Sequence, residues 1–392
     1  YSAFTTLILT LYSCKIMSSK STLQQFLKTP LRAFLSLWVP VLFSMVAEPL
    51  TGLVDTAFIS RLGTEALAAL GVGTVILTSG LWLFNFLSVG SQTEVSQACG
   101  KQDLESGRRI GSLAIFLAIF IGSAMGLLIF FSAPILSTLM GAVDTTHGHA
   151  VTYIQIRSFG GPAVLITMTS FGILYGLADM RSPLIIAVTE NLVNIVLDYL
   201  LIFGIGPIPA MGIGGAAIAS TVSQWLGVMM CWYVVHRKLG FTHRVNLADV
   251  KRLLTIGHNM ILRTGSLIFF LVLATRSATQ LGPESGAAHQ AIRQTWVFTG
   301  LFLDASAVTA QSLIGYFFGS GQIIKTRTVS LLVCQWTFVI GFVLMLLMLL
   351  GADFAASMLV PQASLFLFFP AWTVSAMFQP LAAIAFVTDG IH

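Results

Sequence analysis

The chain has 392 residues, of which 56% are hydrophobic and only 9% charged, with a formal charge of +5. A water-soluble domain carries roughly 25% charged residues, so this composition, with a mean hydropathy of +0.89, excludes an ordinary soluble fold. The excess of positive charge lies between apolar stretches, where it orients a membrane protein and gives no reason to expect a nucleic-acid partner.

The first residues stand apart. Residues 1–16 begin without methionine and contain an apolar tract, Phe4 to Leu11, ahead of Met17-Ser18-Ser19-Lys20. Translated upstream sequence and a signal peptide are both readings of this segment; the tract lacks a basic leader and an Ala-x-Ala site. Residues 1–29 are set aside as an N-terminal extension.

Apolar stretches of about 20 residues, the length that crosses a bilayer as a helix, follow near 33–59, 67–91, 110–132, 149–178, 183–205, 213–236, 252–276, 287–313, 328–350 and 360–388. The expected fold is therefore an all-α, polytopic membrane protein. Lys and Arg alternate between the loops. Lys20, Lys28 and Arg32 precede span one, and Lys101, Arg108 and Arg109 follow span two. Arg181 follows span four, Arg237, Lys238, Arg244, Lys251 and Arg252 follow span six, and Lys325 and Arg327 follow span eight. The positive-inside rule makes those loops cytoplasmic and places the N-terminus there too.

Span one carries Glu48 and, seven residues on, Asp55, in the middle of an apolar run where an acid is costly and points to function. Pro40, Pro49 and Gly52 in the same span suit a helix that bends, although such residues are also simply tolerated in membrane helices. Span four contains Arg157. In span five, Asn191, Asn194 and Asp198 are three and four residues apart and share one helical face, with Glu190 at its border. Span six adds Ser220, Thr221, Ser223 and Gln224. These groups can line an oxygen-rich cavity that holds a small cation or a proton; structural bridging between helices is the alternative for Asp55 and Asp198. Arg263 and Arg276 lie in span seven, His289, Gln290, Arg293, Asp304 and Gln311 in span eight, and Asp389 in span ten. Asp304 is expected to pair with Arg263 or Arg293, with substrate contact as its second reading.

The four cysteines, Cys14, Cys99, Cys231 and Cys334, have no metal or redox spacing and read as small packing residues. No nucleotide-binding loop, hydrolase elbow or metalloprotease motif is present, and no enzyme activity, cofactor or structural metal is expected.

The string Leu62-Gly63-Thr64-Glu65-Ala66-Leu67-Ala68-Ala69 returns as Leu281-Gly282-Pro283-Glu284-Ser285-Gly286-Ala287-Ala288, an offset of 219 (284 minus 65). Span one then corresponds to span seven and span two to span eight. A repeat of six helices gives two lobes in parallel, related by a pseudo-twofold along the membrane normal. The division expected is 30–240 for the first lobe and 241–392 for the second. Continuing along the chain, Tyr175-Gly176-Leu177 is aligned with Asp389-Gly390-Ile391. By that logic twelve spans are expected in all, with the last two of the second lobe lying beyond residue 392; a ten-helix protein is the alternative.

Five strings in order resemble the multidrug and toxic compound extrusion (MATE) transporters, in particular the DinF-like branch. They are Pro49-Leu50-Thr51-Gly52-Leu53-Val54-Asp55-Thr56-Ala57 within Pro40 to Leu62, Leu177-Ala178-Asp179-Met180-Arg181-Ser182-Pro183, Asn191 to Asp198, Gly215-Ala216-Ala217-Ile218-Ala219-Ser220, and Phe386-Val387-Thr388-Asp389-Gly390. The resemblance implies twelve helices in two lobes around a central cavity, and export of organic, often cationic compounds or metabolites in exchange for H⁺ or Na⁺. It implies a cation-binding or proton-binding role for Asp55, Asn194 and Asp198. Ser220 stands where many relatives have Thr, and Thr221 follows it, so a hydroxyl ligand is retained. Glu48, Asn191, Gln224, His289, Gln290, Arg293, Asp304 and Asp389 are expected in the substrate cavity or in coupling, and Asp179 and Arg181 as anchors of a loop and a helix end. A monomer in the cell's inner (plasma) membrane is expected. The rival within the wider superfamily, a flippase for lipid-linked precursors, should have a strongly cationic cavity.

Overall fold

A computed structural model describes residues 26, 28–207, 209–242 and 246–391. The expectations for residues 1–16, Cys14, Lys20 and Arg244 lie outside the described residues. In lipid every backbone polar group must be satisfied within the chain, and nearly every described residue is helical.

Span one is α1 (Pro30–Ile59) continued by one 3₁₀ turn, Ser60–Leu62, and it runs unbroken through Pro40 and Pro49. Span two is α2 (Thr64–Trp82) followed by α3 (Phe86–Gly100), and span three is α4 (Leu104–Leu139). Span four is a bent pair, α5 (Asp144–Ser158) and α6 (Gly161–Gly176), broken by 49°. Spans five to nine are α7 (Arg181–Phe203), α8 (Gly212–Lys238), α9 (Leu247–Gln280), α10 (Pro283–Gly319) and α11 (Ile323–Leu350). The short α12 (Ala352–Leu359) leads to span ten, a second bent pair, α13 (Leu365–Met377) and α14 (Gln379–Ile391), broken by 47°. Counting each bent pair once, the ten apolar stretches are ten candidate spans among the described residues. The two breaks are additions that hydropathy does not register.

Helix ends follow local chemistry. Asp103 caps α4 by accepting from the Ser106 amide at 3.0 Å, and Asn246 caps α9 by accepting from Ala248 at 3.0 Å. Asp179 accepts from the Ser182 amide at 3.2 Å and forms an ion pair with Lys238, which ties the start of span five to the end of span six. Its role as an anchor is thus visible.

The repeat is a physical symmetry. Gly63 and Gly282, equivalent under the 219 offset, share one backbone conformation, φ +118°, ψ 171° and φ +123°, ψ 165°, in the left-handed region that glycine adopts freely. Spans two and eight meet along the axis through a reciprocal exchange. Gln92 Nε2 donates to the Val308 carbonyl (2.8 Å) and Ser312 Oγ (2.9 Å), while Gln311 Nε2 donates to the Val89 carbonyl (2.9 Å) and Thr93 Oγ1 (2.6 Å). Every partner is the 219 counterpart of another. Gly100 packs on the Tyr316 carbonyl and Gly319 on the Gln97 carbonyl, again counterparts, and Gly315 lies directly against its own counterpart, Ser96. Small residues at such spacing let membrane helices approach backbone to backbone.

The same comparison corrects the alignment of spans four and ten. Gly172 packs on the Ser88 carbonyl and Gly390 on that of Ala307, the counterpart of Ser88; likewise Gly122 faces Pro162 and Gly341 faces Pro380. Gly390 therefore corresponds to Gly172, not Gly176. Four residues is about one helical turn, and a slip of one turn preserves the apolar pattern that sequence comparison relies on.

Contacts between the first six spans and the rest gather at one end. The first half of α1 packs on α10, where Trp38 Nε1 donates to Ser306 Oγ at 2.9 Å, and α3 packs on α9 and α10. At that end Arg252 pairs with the buried Glu94 at 2.7 Å and Arg109 with Asp249 at 3.4 Å. Gly319→Ala, which forces a Cβ to within 2.7 Å of the Gln97 Cα, should lower the thermal midpoint by the equivalent of about 1–3 kcal/mol. Gly300→Ala in the same helix meets nothing within 4 Å and should leave the midpoint unchanged or raised; equal behaviour of the two variants would refute the close approach.

Candidate cation and substrate cavity

The closed end forms the floor of a cavity of about 840 Å³ between the two halves. Ser44 and Tyr175, hydrogen-bonded at 2.9 Å, and the Gln92 and Gln311 contacts lie along that floor. Of the residues expected in the cavity or the cation site, Asp55, Asn194, Ser220, Glu48, Asn191, Gln224, Asp304 and Asp389 all line it.

On the first-half wall, Asp55 of α1 lies against Asp198 of α7. Asp198 is fully buried and faces the Asp55 carboxyl; no backbone or side-chain N–H or O–H of another residue reaches either of its oxygens, nor Oδ1 of Asp55. Asn194, one turn before Asp198 and 5% exposed, donates through Nδ2 to Ser220 Oγ at 3.4 Å. Helices α7 and α8 come this close because Gly215 sits on the Leu201 carbonyl, where a Cβ would collide. Gly52, three residues before Asp55, meets nothing within 4 Å and leaves the cavity side of span one open.

Other expected members are elsewhere. Thr221 donates to the carbonyls of Ala217 (2.8 Å) and Ile156 (3.4 Å) and is not part of the lining, since adjacent residues on a helix point about 100° apart. His289 bonds Thr275 at 3.2 Å, and Gln290 and Arg293 are exposed; none of the three lines the cavity. They belong to the first turns of α10, beyond the part that faces the first half. The expected pairing of Asp304 is corrected: Arg263 forms its ion pair with Asp389, and Asp304 remains on the wall without an ion-pair partner among the described residues.

Three residues complete the first-half wall. Glu190, noted in the sequence only as bordering the polar face, packs its carboxyl on Gly227. Tyr153 and Arg157 reach the cavity from the last two turns of α5, and Arg157 Nη1 donates to Gln224 Oε1 at 2.8 Å. Arg157 carried the signal that exposes it, a lone cation in an apolar stretch, but its position at the break in span four is a matter of tertiary structure. In total the lining holds five acids, Glu48, Asp55, Glu190, Asp304 and Asp389, against two arginines, Arg157 and Arg263.

The Arg263–Asp389 pair is about half exposed on both sides, and such a pair contributes roughly 0–1 kcal/mol. Arg263→Gln should therefore shift unfolding in denaturant by no more than about 1 kcal/mol. A loss of several kcal/mol would show the pair to be buried and structural.

Comparison with known proteins agrees with this geometry. A family model described as MatE matches residues 40–200. The chain is 28% identical to Protein DETOXIFICATION 44, chloroplastic, of Arabidopsis thaliana, over 91% of this chain and 71% of that protein. It is 25% identical to the probable multidrug resistance protein NorM of Thermotoga maritima (74% and 64% covered) and 25% identical to DNA damage-inducible protein F of Escherichia coli (85% and 74%). A crystal structure of MATE in the bent conformation superposes with a TM-score of 0.85 at 21% identity, covering 94% of this chain and 84% of that one. Sequence relatives and fold converge: the chain is a multi-pass membrane protein similar to the MATE transporters over most of its length.

Proposed function

We propose that this transporter is a secondary antiporter that exports organic, often cationic, compounds or metabolites in exchange for H⁺ or Na⁺. The observation that carries the reading is Asp198, a fully buried carboxyl that no donor group reaches and whose neighbour is a second carboxyl, Asp55, at the edge of a large cavity. Buried polar groups without partners are rare and costly, and a bound proton or small cation supplies what is missing. The donors that converge there, two carboxyls, the Asn194 amide oxygen and the Ser220 hydroxyl, are all oxygens, as a hard cation requires. No cofactor is invoked beyond the coupling ion.

One elementary charge moving through the full field contributes about 2.3 kcal/mol per 100 mV. A proton gradient adds about 1.4 kcal/mol per pH unit. One or two cations per cycle thus suffice for a useful substrate gradient. On this reading the lobes are 30–240 and 241 onward, a monomer works in the plasma membrane, and the N-terminus is cytoplasmic. The closed end, which carries Lys101, Arg108, Lys325 and Arg327, is then the cytoplasmic one, and the conformation faces outward. The excess of acids over arginines in the lining supports an exporter of cations over a lipid-precursor flippase, for which a cationic cavity is expected.

In proteoliposomes, Asp55→Asn should reduce efflux of a cationic dye, driven by an imposed proton or sodium gradient, to the rate of protein-free vesicles. The folded state is checked by its thermal midpoint. Efflux at the parental rate would sink the assignment, and the gradient that drives the parent identifies the ion.

A further inference from the structure

The acid-lined wall contains one positive charge whose placement is unusual. Arg157 is the penultimate residue of α5, just before the break at Phe159 and Gly160. Trp225 Nε1 donates to the Phe159 carbonyl at 3.1 Å and holds the break against span six. Gly160 leaves room beneath the guanidinium: a Cβ there would come within 2.5 Å of Gln224 Oε1 and 3.4 Å of Arg157 Nη1. The guanidinium is thus seated on a neutral amide, Gln224 Oε1, at 2.8 Å. It forms no ion pair among the described residues, and its Nε–H is buried without a partner.

Yet it shares its wall with carboxyls. Glu48, Asp55 and Glu190, from spans one and five, line the same cavity as Arg157, and Asp198 lies behind Asp55. A guanidinium is charged at every accessible pH. Held on an amide and kept out of a bidentate pair with any one acid, it acts on the whole wall as a fixed positive charge. A ligand entering the cavity meets the acids less that one unit.

We propose that Arg157 sets the charge preference of the substrate site, limiting the positive charge that an organic cation can carry into the first-half wall. This inference rests on the antiporter reading and names a specificity determinant within it. Repulsion from Arg157 acts once on a monocation and twice on a dication. Removing the charge should therefore favour both but favour the dication more. The ratio of the two affinities isolates this effect, since a merely structural disturbance changes both ligands alike.

The test uses the full chain and two chemically matched probes, N-methylpyridinium with one charge and N,N′-dimethyl-4,4′-bipyridinium with two. Equilibrium binding is measured for the parent, Arg157→Gln, Arg157→Lys and Asp55→Asn. Arg157→Gln should raise the dication-to-monocation affinity ratio by about tenfold, and Arg157→Lys, which keeps the charge, should hold the parental ratio. An unchanged ratio in Arg157→Gln overturns the proposal, as does an equal shift in Arg157→Lys. Asp55→Asn should weaken both probes; if it weakens neither, the cation-site reading fails, and that outcome is distinct from failure of the role given to Arg157.

Discussion

The exchange of amide hydrogen bonds between Gln92 and Gln311 decides where the cavity can be. In a lipid-like interior a primary amide must find partners, and each glutamine finds them only on the opposing half, in a backbone carbonyl and a hydroxyl. Because the two exchanges are twofold counterparts, they draw α3 and α10 together symmetrically about one axis. Glycines at 100, 315 and 319 permit the backbones to come close enough. Where this contact ends, the halves separate, and the space between them is the cavity.

The chemistry of that space is asymmetric although the scaffold is not. The first half contributes Glu48, Asp55 and Glu190, with Asp198 behind them and Arg157 as counter-charge; the second contributes Asp304 and an Arg263–Asp389 pair that is already internally neutralised. Buried carboxyl oxygens that no donor reaches occur on the first side only among the described residues. A twofold frame can therefore place a cation site in one half while the other offers a wall of nearly balanced charge.

Much of this was legible in the chain. Ten apolar stretches, the 219 offset, and the spacing of Asn191, Asn194 and Asp198 follow from the length of a membrane helix and its period. Asp55 stood out because an acid at midspan is expensive. What escaped the sequence has a common cause: it depends on rotation or bending of helices relative to one another. Thr221 is next to Ser220 in sequence but faces Ile156. Asp304 was expected to pair with Arg263 or Arg293, and the folded wall brings Asp389 to Arg263 instead. Arg157 needed the 49° break in span four to reach the acids of spans one and five. The alignment of span ten slipped by one turn because hydrophobic periodicity is nearly blind to a shift of four residues, whereas glycine-to-carbonyl packing is not.

The meeting of Ser96 with Gly315 has a consequence for the history of such a molecule. Two counterparts that touch on a symmetry axis compete for a single volume, so identical residues there fit only if each is no more than a hydrogen atom in bulk. A duplicated gene that begins with the same side chain larger than glycine in both copies must change at this locus before its halves can close. Counterparts that do not collide, such as Gln92 and Gln311, can stay alike; where they do, steric exclusion requires at least one of them to be small.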